Sequence, residues 1–529
     1  RALELLLAAG GQMPLRIFTR EWGEIRTMGP GRMEREQPWR EPISPAEGLW
    51  YSGFISRAFE QGPEGTYEVV FVPPELRAHL PAPHTPPPVI TLEPVPEPAG
   101  ARPAGDAILD NTCTLLAYLQ NERLRPGPGD TWPARHEARL AHRLRDHDPT
   151  RATFLRHLVQ HLGWLHVTDT GRLRPDPGPV AAWLQSSTNQ QQSVLAEAWR
   201  DDPTWNDLFH VPTLHPEDTG AWRNDPLLAR RAILRHLEAI YREPVERCAP
   251  DTWYKLEDLV AAVKQADPDF QRPGGDYATW YVRDATTGAY LSGFESWDGV
   301  EGALIHYIIT GPLAWLGLTS LGASRNSKRP HPHTPTPPHP TFRLTPAGAA
   351  FLGLAEPPPE PEPAPLALRS DFTVLAPPAR RYERFQLARI ADWVASPLAG
   401  GTAGGHFVYR LTPTSLERAR RQGIPVARVL EFLGRVTGAP VPHSIKAALM
   451  RWETRGAEVR LEQAVLLRLS SEKLMAQVTA SPLTRRFIRE QVGPAVALVR
   501  ERDWPDLVSV LGEMGLLPDV FALEENNAD

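Results

Sequence analysis

YRLTPTSLERARRQGIPVARVLEFLGRVTGAPVPHSIKAALMRW, residues 409–452, decides how this chain is read. A helix is expected over 410–421, ending in Arg418, Arg420 and Arg421, where cations favour the helix C-terminal dipole. A second carries Arg428, VLEFL (429–433) and Arg435, and Pro440-Val441-Pro442 stops it before IKAALMRW. DFTVLAPP (371–378) precedes as a strand, and EVRLEQAVLLRLS (458–470) follows as a short hairpin. Arg485, Arg486 and Arg489 make another basic cluster. Residues 366–520 hold 22 Lys/Arg against 15 Asp/Glu, a balance of +7, so a chain of net charge −6 leaves −13 for the remainder. A basic module on an acidic carrier implies a face for an anionic partner. These arginines suit phosphate contacts; the competing reading is a solvated helix face with internal pairs to Glu417, Glu431 and Glu490.

Outward from this module, the chain divides at proline. Residues 79–104 hold nine prolines and read as an extended linker over 81–104, and EPPPEPEPAP (356–365) marks a second linker over 355–365. Ahead of the first linker and between the two, a pattern of three helices followed by short strands recurs over 1–80, 105–185 and 251–354. Ser44-Pro45-Ala46-Glu47 opens one helix as a capping sequence. HVTDTGRLRP gives two short strands around Thr170-Gly171. Residues 186–250 read as a helical, Trp-rich bridge, 324–340 as a disordered Pro/His-rich insertion, and 521–529 as an acidic tail. The expected fold is mainly α with small β wings, α+β in class, with tandem winged-helix-like units ahead of the basic module. The third helices of the units are placed at 45–59, 150–162 and 300–316. The first offers Arg57 and the second Arg151 and Arg156 to nucleic acid, whereas the third is apolar and suits core or protein contact.

Composition excludes several chemistries. The five lysines, at 255, 264, 328, 446 and 473, follow no glycine-rich phosphate loop, so a Walker-type ATPase is not expected within this chain. Cys113 and Cys248 support neither a disulfide framework nor a Cys-based zinc site, and neither has a nucleophile context. His136-Glu137 begins a zinc-protease-like string, but Leu140 stands where the second histidine is required. His157 and His161, one helical turn apart, read as a packed or solvated pair, and His331, His333 and His339 as low complexity. Asp146-His147-Asp148 reads as a polar turn. No cofactor or metal is expected. No signal peptide or 20-residue apolar span is legible, which points to the cytoplasm and away from membranes. The chain begins at Arg1 inside an apolar helical pattern, so an upstream segment is expected.

Ser370-Asp371-Phe372, VLAPP (374–378), the 410–421 helix, VLEFL and the Pro440–Pro442 stop, in that order, resemble the N-terminal, helicase-associated domain of XPB-like helicases. GEIRTMGPGRMEREQPWREPISPAEGLWY (23–51) is similar to bacterial helicase-associated domain proteins that join winged-helix units to such a domain. The motor domains of the family are missing from this sequence, and the resemblance transfers no catalytic residue. It implies a non-catalytic DNA-binding or helicase-associated adaptor in DNA repair or transcription, partnered by DNA or by a separately encoded helicase or nuclease. The alternative is a protein-interaction scaffold without nucleic-acid affinity.

Overall fold

A computed structural model describes residues 2–8, 11–62, 65–77, 79–80, 90–98, 101, 107–145, 148–220, 222, 224–242, 252–272, 275–322, 340–397, 405–459 and 464–520. Cys248, Asp146, His147, the His/Pro-rich insertion over 324–339 and the acidic tail lie outside these residues. The chain forms two compact units, 1–446 and 447–529. The fold is α+β: helices predominate, and the sheets described are all small and antiparallel.

The first unit opens with α1 (Ala2–Ala8), β1 (Gln12–Pro14), α2 (Leu15–Trp22), α3 (Pro30–Glu36) and α4 (Pro45–Tyr51). β2 (Ser56–Gly62), β3 (Gly65–Phe71) and α5 (Pro74–Arg77) follow. Ser44 caps α4 as its sequence predicts, its hydroxyl accepting from the Glu47 amide at 3.0 Å. Glu47 is fully buried, and its carboxylate takes hydrogen bonds from the Arg26 guanidinium and the Ile43 amide, both at 2.8 Å. The helix expected over 45–59 is shorter. It stops at Tyr51 because Gly53 turns the chain at φ +74°, and residues 56–62 then pair along the whole of β3. Arg57 therefore stands on a strand. Ala2, Leu6, Phe18, Ala46, Ile55, Val70 and Val72 form the core of this part.

Next come α6 (Ala107–Asn121), α7 (Ala134–Ala141), α8 (Pro149–His161), the hairpin β4 (Leu165–Val167) and β5 (Leu173–Pro175), and α9 (Pro177–Gln185). The hairpin turns at Gly171, φ +73°, as its sequence predicts. α10 (Thr188–Asp201) starts with a complete capping box between Ser187 and Gln190. β6 (Leu214–Pro216) and α11 (Pro226–Arg242) follow, then β7 (Tyr254–Lys255), α12 (Leu256–Ala266) and β8 (Val282–Asp284). The long apolar helix expected over 300–316 is not regular. α13 (Ala303–Ile308) is flanked by π-helical turns at Asp298–Gly302 and Ile309–Leu313, the second holding Gly311 and Pro312. Proline has no amide hydrogen to donate and crowds the preceding turn, so the ladder shifts register there. β9 (Thr319–Gly322), β10 (Thr341–Leu344) and α14 (Pro346–Phe351) complete this region, β10 lying between β7 and β9. The cores of 105–185, 186–250 and 251–354 merge into one hydrophobic cluster running from Ile90 to Phe385.

The proline-rich arm at 355–365 is tied down. The Glu360 carboxylate accepts from the Thr188 and Asn189 amides at 2.8 and 2.5 Å, at the positive end of α10. Asn189 donates to the Pro358 carbonyl at 2.7 Å, and Arg380 donates to the Pro363 carbonyl at 2.7 Å. Glu360→Ala is expected to speed proteolytic nicking within 355–365 while leaving the main thermal transition in place, because only the arm loses its anchor. Limited proteolysis beside a thermal melt reads both.

β11 (Ala367–Leu368), β12 (Thr373–Ala376), α15 (Arg381–Ile390), β13 (Asp392–Ala395) and β14 (Phe407–Arg410) follow, with strand order β11-β12-β14-β13. α16 (Pro413–Arg421) and α17 (Val426–Thr437) come next. α18 (His443–Arg455) contains the boundary between the units. The second unit continues with β15 (Val465–Arg468), α19 (Glu472–Ala480), α20 (Pro482–Arg485), β16 (Ile488–Gly493), β17 (Val496–Val499) and α21 (Trp504–Glu513). Its core is Val478, Phe487, Val499, Leu507 and Leu511. Residues 460–463 of the hairpin expected over 458–470 lie outside the described residues; β15, at its end, pairs with β17, and β17 forms a hairpin with β16. Val465 and Leu467 alternate with Leu466 and Arg468, so this register brings the first two to the core and leaves the others outside.

Candidate nucleic-acid interface

The basic module is built onto the helical body through one carboxylate. Asp110, in the first turn of α6, is fully buried. Its Oδ1 accepts from Arg384 Nη1 at 2.8 Å and Arg381 Nε at 3.2 Å, and its Oδ2 from Arg145 Nη1 at 2.7 Å. Arg381 and Arg384 come from α15 and are themselves buried. One negative charge faces three positive ones, so neutral groups must serve the remaining donors. Gln191 Oε1 accepts from Arg381 at 3.2 Å, the Pro378 carbonyl accepts from Arg384 at 3.2 Å, and the Phe407 ring centroid lies 3.2 Å from the Arg384 guanidinium carbon. Burial disfavours the Arg384 cation, yet its pKa stays above the ordinary value, and the negative charge of Asp110 beside it works in that direction. Burial pushes the Cys113 thiol up, and that thiol donates to the Arg381 carbonyl at 3.3 Å, which is packing rather than nucleophile chemistry.

Beside this anchor lies a cleft lined by Tyr118, Asn121, Arg143, Asp392, Trp393 and Arg418, among others. The Arg143 guanidinium sits 5.1 Å from the Tyr118 ring centroid and 5.7 Å from that of Trp393. Arg418 is spent on structure: it pairs with Asp392 at 2.8 Å and donates to the Ala391 carbonyl at 2.9 Å. It ties α16 to the start of β13.

The other proposed arginines divide by exposure. Arg420 and Arg421 share the carboxylate of Glu417 at 2.6 and 3.2 Å, and Arg428 pairs with Glu431 at 2.9 Å. The bond from Arg420 leads the causes that hold the Glu417 carboxyl below its ordinary range, against a weaker opposing effect of burial and with help from Arg421. All three arginines are exposed, so a phosphate can compete for them at small cost. Arg57 lies 3.5 Å from Glu68 and packs over Trp50. Arg156 lies 3.5 Å from Glu137 and packs over Trp132, whereas Arg151 occupies the first turn of α8, its amide facing the Asp148 cap. In the second unit, Arg485 ends α20, Arg486 caps it and stacks on Phe487, and Arg489 is on β16. The sequence-chosen arginines thus fall on several elements of both units rather than on one helix face.

His157 and His161 converge on buried Asp202, at 2.5 and 3.3 Å from its two oxygens. Burial works to raise the Asp202 carboxyl, and bonds from Thr204 and His157 outweigh it, leaving the carboxyl below its ordinary value. Among the described residues, no group of three or more His, Cys, Asp and Glu side chains is arranged to hold a metal, and no helix is long and apolar enough to cross a membrane. Sequence reasoning passed over Asp110, Arg381 and Arg384, whose partners lie some 270 residues apart. Arg381 and Arg384, three apart on one helix, were the available signal.

Residues 366–492 match the family described as the helicase conserved C-terminal domain, which supports a helicase-associated domain in that segment. The match begins at Leu366, just after the proline-rich arm, and includes both arginines of the Asp110 anchor. No curated protein matches the chain.

Proposed function

We propose that this chain is a non-catalytic, helicase-associated adaptor that binds DNA and presents it, in repair or transcription, to a separately encoded helicase or nuclease. The observation that carries this reading is the helicase-family match over 366–492, in a segment of net positive charge on an otherwise acidic chain. The XPB-like reading of that segment, and the winged-helix-like reading of α6, α7, α8 and the β4–β5 hairpin, support nucleic acid as the ligand. The absence of a Walker loop from the sequence supports an adaptor rather than a motor. With Asp110, Arg381 and Arg384 buried together, the start of the helicase-like segment acts as part of the helical body and not as a lobe on a hinge.

A second reading, a protein-interaction scaffold, draws on the apolar side chains exposed in the second unit, among them Val459, Leu466, Leu483, Val492 and Leu517. Anisotropy titrations of labelled duplex, single-stranded and forked DNA with the full chain separate the two. Saturable binding at low salt, with no ATP turnover in its presence, is the expected result. Absence of binding to all three substrates by folded protein would remove DNA from the account and leave the scaffold.

A further inference from the structure

Arg123, Arg172 and Arg174 gather at the β4–β5 hairpin without an ion pair among the described residues, in contrast to Arg420, Arg421 and Arg428. The arrangement follows from strand geometry. Leu173 is buried in β5, and its amide donates to the carbonyl of buried Leu124 at 2.9 Å. Side chains alternate along extended chain, so Arg174 on β5 and Arg172 just before it lie on the side of the hairpin opposite to Leu173, both partly exposed. Arg123, next to Leu124, joins them from the neighbouring segment and is exposed. His166, exposed on β4, is the cross-strand partner of Arg174.

The nearby carboxylates are turned to other tasks or stand at the ends of the hairpin. Glu122 lies toward Arg139 and Arg143, at 4.0 and 3.7 Å, and Asp176 accepts from the Gly178 amide at 3.0 Å to cap α9. Asp169 is exposed at the hairpin turn. Arg174 is partly buried, and its guanidinium donates at 3.4 Å to the Leu119 carbonyl in the last turn of α6. Burial first, then the charges of Arg172 and Arg123, hold the Arg174 pKa below its ordinary value. Assembling like charges without counter-charges opposes folding, and an anionic ligand relieves that cost.

We propose that Arg123, Arg172 and Arg174 form a phosphate-binding face that receives the backbone of a nucleic acid along the β4–β5 hairpin. The inference deepens the DNA-binding reading above and rests on it. Guanidinium forks match phosphate oxygens bidentately, and backbone positions two residues apart in extended chain are about 6.6 Å apart, which suits neighbouring phosphates on one strand. Such contacts fix the register of the nucleic acid without reading its sequence.

The test compares full-length wild type with Arg123→Gln/Arg172→Gln/Arg174→Gln and with Arg32→Gln/Arg235→Gln/Arg242→Gln, which removes the same charge elsewhere. Affinity for labelled duplex and single-stranded DNA is measured over a salt series. The hairpin variant is expected to lose about tenfold or more in affinity near 100 mM salt and to flatten the log–log salt slope by about 3, one unit per arginine. The charge-matched control should retain most of the wild-type slope. Arg123→Glu alone, at an exposed position, should weaken binding several-fold and keeps the test decisive if the triple variant misfolds. If wild type binds and the hairpin variants bind as well as the control, this face is overturned while the DNA-binding reading stands. If wild type binds neither DNA, both fall; binding to polyglutamate but not DNA likewise overturns the nucleic-acid assignment and points to an acidic protein.

Discussion

Asp110→Ala is expected to cost the chain about 3–5 kcal/mol of stability, the range for breaking one side of a buried ion pair. The carboxylate is fully buried and holds Arg381, Arg384 and Arg145 together, so its removal strands two buried guanidinium groups. Asp110→Asn keeps the shape and one acceptor but not the charge, and should recover only part of the loss. Replacing Asp110, Arg381 and Arg384 together by apolar residues of similar size should cost less than the single Asp110→Ala change, because no buried charge is then left alone. Urea unfolding followed by circular dichroism gives these values. Hydrogen exchange adds location: α6 and α15 should lose protection together in Asp110→Ala. Loss in α15 alone would show that the helicase-like segment is only loosely attached.

Arg230→Ala should be comparably damaging, at about 3–5 kcal/mol. Arg230 is fully buried on α11, pairs with Asp207 at 2.6 Å, and donates to the carbonyls of Trp199, Asp202 and Trp205. Its guanidinium also lies 5.2 Å from the Trp199 ring centroid. Truncation leaves a buried carboxylate and three carbonyls without this donor, in the middle of the continuous core. Arg230→Lys should rescue little, since a single ammonium cannot span the directions that the planar fork reaches. Thermal and urea melts of the two variants decide this, and a rescue close to wild type by lysine would show that charge alone is what the site needs.

What was legible in the sequence was local. The Ser44 cap and the turn at Gly171 each depend on a few adjacent residues, and each is where the pattern puts it; the helix expected over 410–421 starts three residues later, at Pro413 behind its Thr412 cap, because Arg410 still belongs to β14. The end of α4 was misplaced because Trp50, Phe54 and Ile55 keep helical spacing across Gly53, whose left-handed turn breaks the helix. Gly311-Pro312 signalled the irregular helix, but the apolar run around it concealed the break. Pairing over distance was not legible: β15 pairs with β17, and Asp110 with Arg381 and Arg384 some 270 residues along the chain. The candidate interface divides the same way. Glu417 and Glu431 stand within one turn of their arginines, so those pairs could be foreseen. Arg172 and Arg174 around buried Leu173 were a visible strand signal, whereas Arg123 joins them only through the pairing of Leu124 with Leu173.

The most direct measurement is the salt dependence of forked-DNA affinity for the full-length chain, from about 50 to 200 mM, the range over which phosphate contacts dominate the loss of binding. The account predicts saturable binding at low salt and a log–log slope of about −3 or steeper, as three or more neutralised phosphates require. A folded chain that binds no DNA at the lowest salt, or binds with a flat slope, would contradict it.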